Sequence, residues 1–183
     1  MKMKNKAIFL DRDGVLNYVT VIDGVPQAAR SLSEFIIVKD AYDALQALKK
    51  MGYLLIVVTN QPDVTRGKIK KETVEAIHDY VKEKLPIDAI YVCYHDNKDV
   101  CDCRKPKAGL ITAAAKLHDV TLKNSFIIGD RWKDIEAGRN AGCKTIFLDA
   151  GYVETKKHPV DADCSVHSLK EAAEWIAALS KGV

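Results

Sequence analysis

Residues 7–14 read AIFLDRDG. Ala7 to Leu10 is a short apolar run suited to a buried strand, and Asp11-Arg12-Asp13-Gly14 follows it directly. Asp-Gly is by itself a turn signal, which explains Asp13 and Gly14. It does not explain Asp11, since a strand end has no need of a second carboxylate. Two carboxylates two residues apart, on a turn that Gly14 permits, can address one small site.

The rest of the chain alternates strand and helix patterns. Ala41, Leu45, Leu48 and Met51 recur at helical spacing, with Gly52 placed to end that helix. Tyr53 to Thr59 is a continuous apolar run with β-branched residues, typical of a strand covered on both faces. Val74, Ile77, Val81 and Leu85 mark a helix and Ala89 to Cys93 a strand. A helix from about Lys107 to His118, a strand over Ser125 to Ile128, a helix over Asp134 to Ala141 and a strand over Thr145 to Leu148 follow. Leu169 to Leu179 closes the chain as an amphipathic helix with Ser168 as N-cap. This alternation predicts an α/β fold with a doubly wound, mainly parallel sheet. There is no repeat, low-complexity tract or linker, so one domain over residues 1–183 is expected.

In such sheets ligands bind outside the carboxyl ends of the strands. The strand Tyr53 to Thr59 runs into Thr59-Asn60-Gln61, and Ser125 to Ile128 into Gly129-Asp130, then Arg131 and Asp134. Between them Arg104-Lys105-Pro106-Lys107 stands just before a helix. Taken singly, Thr59 is an ordinary strand residue, Lys105 a solvated lysine and Asp130 a helix cap. Those readings do not predict two carboxylates, a hydroxyl, a lysine and a further carboxylate at separate strand ends facing one crevice.

Asp11-x-Asp13, Thr59, Lys105 and Asp130, in this order, resemble the four motifs of the haloacid dehalogenase superfamily over nearly the whole chain. FLDRDG, VVTNQ, CDCRKPK and GDRWKDIEAG are similar to the branch holding heptose 1,7-bisphosphate phosphatases and histidinol-phosphate phosphatases. The resemblance implies a Rossmann-like core and magnesium held by Asp11, the backbone carbonyl of Asp13, and Asp130. The segment at about 18–38 carries no large cap domain and is expected to be the loop that reads the substrate. Phosphate monoester hydrolysis needs an in-line nucleophile, charge neutralisation and a proton for the leaving alkoxide. Asp11 suits the nucleophile and Asp13 the general acid and base; Lys105 and Thr59 suit binding of the transferring phosphoryl group. Asn60, Gln61, Arg104 and Arg131 are expected to contact the substrate, and Asp134 to orient a lysine or a metal-bound water. Arg30 and Arg66 are further candidates for a second phosphate. The expected reaction is removal of the 7-phosphate of a heptose 1,7-bisphosphate. Histidinol phosphate is the nearest alternative and a polynucleotide 3′-phosphate a more distant one.

Of the five cysteines, Cys93, Cys101 and Cys103 crowd together with His95 among them. Three thiolates and one imidazole form a closed tetrahedral set of the kind structural zinc prefers, in a polar loop over 93–103. Cys143 and Cys164 read as packing residues. His78, His118, His158 and His167 have no partners at metal-site spacing and are given no role.

A net charge of +3 with interleaved acids gives no basic face, so no nucleic-acid partner is expected. The longest apolar runs are too short to span a bilayer, so no membrane association is expected. No signal-peptide pattern is present, and the cytoplasm is the expected compartment. A small phosphorylated metabolite is the expected partner of a monomer. A phosphoacceptor receiver domain would share the aspartate, hydroxyl, lysine and magnesium, but it has no use for an acid at Asp13 or for a zinc loop. A zinc-organised nucleic-acid module leaves Asp11 unexplained.

Overall fold

The computed structural model describes residues 4–181. Strand β1 (Lys6–Leu10) is followed by a hairpin of β2 (Thr20–Ile22) and β3 (Val25–Gln27). Then come α1 (Ala41–Lys50), β4 (Tyr53–Asn60), α2 (Lys71–Lys84), β5 (Ala89–Cys93), α3 (Gly109–Leu117) and β6 (Phe126–Gly129). The chain ends with α4 (Trp132–Ala141), β7 (Lys144–Leu148), a short α5 (Val153–Lys157), β8 (Cys164–Val166) and α6 (Leu169–Lys181).

Six strands form one parallel sheet in the order β5-β4-β1-β6-β7-β8. The chain winds outward from β1 to one edge, crosses back through α3, and winds to the other. Side chains alternate along a strand, so β1 feeds both layers. Ile8 and Leu10 pack with α1, α2 and α6, while Ala7 and Phe9 pack with α3 and α4. Leu45 and Leu48 of α1 are fully buried, each contributing about 1.5–3 kcal/mol by leaving water. The doubly wound sheet expected from the alternation is therefore present. Among the described residues no helix is long and apolar enough to cross a membrane.

Gly52 (φ +84°) lies just beyond the end of α1, and Ser168 accepts the Glu171 N–H at 3.1 Å at the start of α6, as their positions suggest. Helix α2 begins three residues before its first apolar marker because its first turn carries the polar Lys71, Glu72 and Thr73, and α4 begins at the half-buried Trp132 and Lys133, two residues before Asp134. The hairpin and α5 are not marked by that spacing at all. No large cap covers the sheet; the hairpin side of the 18–38 segment contributes Val19 and residues 25–28 to the wall of the main cavity.

The winding reverses on either side of β1, so a crevice opens at the carboxyl ends of β1, β4 and β6. The Asp11 N–H extends the ladder by donating to the Ile128 carbonyl at 3.0 Å. Across the sheet the Gln61 N–H donates to the Cys93 carbonyl at 2.7 Å, which joins the end of β4 to the start of the cysteine loop.

Candidate active site

A cavity of about 310 Å³ occupies this crevice. Asp11, Asp13, Thr59, Asn60, Gln61, Arg104, Lys105, Asp130 and Arg131 all line it, as does Asp134. Arg66 lines it too. Arg30 does not; it is exposed and lies on a separate shallow depression beside the 18–38 segment.

Gly14 allows the turn after β1 to close. Its φ is +83°, and a Cβ there would meet the Asp130 carboxylate at 1.9 Å, so only glycine lets the loop approach that side chain. Asp11 Oδ1 accepts the Arg12 N–H at 2.7 Å and lies 2.9 Å from the Lys105 ammonium, which leaves Oδ2 for chemistry. Lys105 is almost fully buried and also reaches Asp134 Oδ1 at 2.6 Å and the Val58 carbonyl at 2.8 Å. Burial opposes its charge, but Asp11 and Asp134 overcome that and raise its pKa above the ordinary lysine value. Asp134 also caps α4, accepting the Arg131 N–H on Oδ2 at 3.0 Å, so orienting a lysine, as read from the sequence, is the role its contacts fit.

Asp13 is held from one side. Its Oδ2 accepts from Arg12 Nη2 at 2.8 Å, Arg12 Nε at 3.2 Å and Gln61 Nε2 at 2.7 Å, while the buried Oδ1 has no partner among the described residues. Gln61 Nε2 also donates to the Thr59 hydroxyl at 2.9 Å, which turns the Thr59 O–H outward to donate. Asn60 exchanges two 3.1 Å bonds with the Lys105 backbone. The amides of Asn60 and Gln61 thus help to position Lys105, Asp13 and Thr59.

The donor set fits a divalent cation. Carboxylate oxygens of Asp11, Asp130 and Asp134 lie within 4.8 Å of one another, with only Lys105 in salt-bridge contact among them. Asp130 is 1% exposed, and among the described residues neither of its oxygens has a hydrogen-bond partner of ordinary geometry. The Tyr152 hydroxyl stands close, and burial together with the Asp130 charge raises that phenol well above its usual range. Burial, followed by the charges of Asp11 and Asp134, raises Asp130 well above the carboxylate range, and burial with Asp134 pushes Asp11 up to about 7. Leaving such groups charged and unpaired is costly, and a bound cation reverses that electrostatic balance.

Cys93, His95, Cys101 and Cys103 also converge, with ligand atoms within 4.8 Å of one another and no disulfide. Cys103 Sγ is 3.0 Å from Cys93 Sγ, and His95 Nδ1 is 3.2 Å from Cys103 Sγ. This cluster is compatible with zinc. Gly109 anchors the loop's exit: its N–H donates to the Asp102 carbonyl at 3.0 Å, where a Cβ would meet that oxygen at 2.1 Å. Arg104 folds back on the loop, donating to Asn97 Oδ1 at 2.8 and 3.1 Å and to the His95 carbonyl at 3.0 Å. Cys143 is a buried core thiol pushed up to about 12 by burial, and Cys164 sits half-buried on β8.

Lys133, which lines the cavity, and Glu154, which pairs with a lining arginine, were not singled out in the sequence. Lys133, one residue into α4, has its ammonium 5.4 Å from the centroid of the Trp132 ring. Its pKa is lowered by burial and by the nearby Arg104 and Arg131 charges, a sign that cations crowd this end of the cavity. Glu154 of α5 pairs with Arg131 and accepts from Trp132 Nε1, which ties α5 to the rim.

A family model described as HAD-hydrolase-like matches residues 102–172. A D-glycero-β-D-manno-heptose-1,7-bisphosphate 7-phosphatase from Helicobacter pylori J99 is 36% identical over 179 residues, covering 94% of this chain and 97% of that one. A D-glycero-α-D-manno-heptose-1,7-bisphosphate 7-phosphatase from Campylobacter jejuni is 37% identical over 174 residues, covering 92% and 94%. The crystal structure of a D,D-heptose 1,7-bisphosphate phosphatase from B. bronchiseptica, complexed with magnesium and phosphate, superposes with a TM-score of 0.84 at 29% identity, covering 95% of this chain and 99% of that one. Identity of this level along nearly the full length of both chains, on the same fold, means that this chain belongs to the haloacid dehalogenase superfamily of phosphatases, in the family of the heptose 1,7-bisphosphate phosphatases.

Proposed function

We propose that the chain is a magnesium-dependent phosphomonoester hydrolase that removes the 7-phosphate of D-glycero-D-manno-heptose 1,7-bisphosphate through an aspartyl phosphate on Asp11. The observation that carries the chemistry is the pairing of two differently held aspartates: Asp11 with Oδ2 free beside Lys105, and Asp13 with Oδ1 free beside Arg12.

In the first half-reaction Asp11 Oδ2 attacks phosphorus in line, the bond from phosphorus to the sugar oxygen breaks, and Asp13 gives its proton to the departing alkoxide. In the second, Asp13 takes a proton from water as that water attacks phosphorus. The bond to Asp11 then breaks and inorganic phosphate leaves. Thr59 donates to a phosphoryl oxygen, and Lys105 holds Asp11 in place while offsetting the charge that builds up. Magnesium would be held by Asp11, Asp130 and the backbone carbonyl of Asp13, and would supply positive charge to offset the repulsion between the carboxylates and the phosphate dianion.

The bisphosphate reading rests on cations that the transferring group does not need. Among the described residues Arg104 bonds only to neutral acceptors and the Lys133 ammonium has no acid partner. A second phosphate can use both, most effectively against the planar arginine fork. Arg131 and Arg66, by contrast, are already paired, with Glu154 and with Asp63 and Asp96. Heptose 1,7-bisphosphate should exceed the 7-monophosphate in kcat/KM by roughly 30- to 1000-fold, about 2–4 kcal/mol. Substituting Arg104→Ala and Lys133→Ala together should shrink that ratio below about tenfold. Parity between the two sugars in the wild type, or faster turnover of histidinol phosphate, overturns the substrate while leaving the phosphatase standing. Relatives named for each anomer stand at nearly equal identity, so the assay presents both.

For the cysteine cluster we propose structural zinc, which pins the 93–103 loop and so fixes Arg104 and Lys105 just after it. Elemental analysis of protein purified without chelators should give about one zinc per chain. Cys101→Ser should lower both the zinc content and the melting temperature, since site formation contributes to folding. Absence of zinc from the wild-type protein would refute the site.

A further inference from the structure

Arg12 is completely buried, one residue after Asp11 and one before Asp13. Burying a guanidinium is costly unless every face of it is satisfied. One edge grips Asp13 Oδ2 through Nε and Nη2, and its plane lies against Phe35, with Cζ 5.6 Å from the ring centroid. Nη1, on the far side, is 3.1 Å from Nε2 of His78, which is buried on the inner face of α2 with Val74, Ile77 and Val81. Arginine cannot accept a hydrogen bond, so His78 must present an unprotonated Nε2 and carry its proton on Nδ1. Its surroundings enforce that state: burial, then the Arg12 charge, push its pKa down to about 4.

We infer that His78 is a positioning residue for the general acid: by accepting from Arg12 Nη1 it sets the guanidinium plane that holds Asp13 Oδ2, and so aims Oδ1 at the leaving oxygen. This rests on the reading of Asp13 as general acid and base. A guanidinium without its far acceptor can tilt within the pocket, and a small error in aim is enough to slow proton transfer. Binding of the phosphate involves neither His78 nor Arg12, so the effect belongs in kcat.

The test measures KM and the first-turnover rate of leaving-group release on heptose 1,7-bisphosphate and on p-nitrophenyl phosphate, whose leaving group needs little protonation. His78→Leu removes the acceptor. His78→Asn carries an amide oxygen too short to reach the Nε2 position, and guards against a leucine variant that does not fold. His78→Gln places its oxygen near Nε2. Leu and Asn should lower the rate of leaving-group release from the sugar roughly tenfold, with KM within about twofold and p-nitrophenol release in the first turnover within about twofold, while hydrolysis of the aspartyl phosphate, which also uses Asp13, slows alike on both. Gln should recover the rate of release to within about threefold of wild type. Equal losses in the release step on both substrates, no loss at all, or no recovery with Gln would overturn the inference. Asp13→Asn on the same two substrates separates the cases. If it discriminates between them and the His78 variants do not, only the positioning role fails; if it does not discriminate, the general-acid reading fails and this inference with it.

Discussion

Asp11→Asn is expected to lose at least about a thousandfold in turnover on every phosphate monoester, because an amide cannot attack phosphorus and loss of an essential nucleophile removes a whole reaction path. The fold should survive. An asparagine oxygen can still accept the Arg12 N–H and face Lys105, as Asp11 Oδ1 does. The change also removes a carboxylate whose ionisation burial and Asp134 make unfavourable, so the metal-free melting temperature should be no lower than that of wild type. Steady-state assays and a thermal melt on the same preparation check both halves. Residual activity above about one per cent in that folded variant would remove Asp11 as nucleophile.

The second large effect is at Asp13, and the choice of substitution matters. Alanine leaves the fully buried Arg12 facing a void, at a cost of roughly 3–5 kcal/mol for an uncompensated buried charge. Asparagine keeps an acceptor for Arg12 and Gln61 while removing the titratable proton. Asp13→Asn should slow first-turnover release of an alkyl leaving group by about 10²- to 10⁴-fold and that of p-nitrophenol far less, while the hydrolysis of the aspartyl phosphate slows on both. Asp13→Ala should show the same preference with a lower melting temperature. Equal losses in the release step on both substrates would mean that Asp13 transfers no proton to the leaving group.

The parts of this site that could be read from the sequence share one property: each is announced by its place after a strand. Asp11, Asp13, Thr59 and Asp130 end or follow short apolar runs, and a parallel sheet brings such ends together whatever the loop details. The cysteine cluster was legible for a different reason, since four soft ligands in a polar loop have few other uses. Long-range partnerships were not legible. His78 follows Val74 and Ile77 and precedes Val81 on one helical face, so a histidine at an apolar position was the available signal; a search for metal-ligand spacing passed over it. Arg12 stands between two aspartates, and nothing local says that it is the cation holding one of them. Asn60 and Gln61 line the cavity as substrate contacts would, but their bonds to Lys105, Asp13 and Thr59 are not announced by anything local. The hairpin did leave a trace. Asp23 and Gly24 both adopt positive φ, as a two-residue hairpin turn requires, and Asp-Gly flanked by Val21-Ile22 and Val25 is its usual signature. Pro26 in the second strand blurs that signal.

The most direct test of the account is to quench the wild-type enzyme in acid during turnover of heptose 1,7-bisphosphate with magnesium, and to map the peptides by mass spectrometry. The phosphoryl group should be found on Asp11, and should be absent when substrate is omitted. Phosphate carried by Asp13 or another residue, or turnover with no phosphorylated peptide even at the shortest quench times, would contradict catalysis through Asp11.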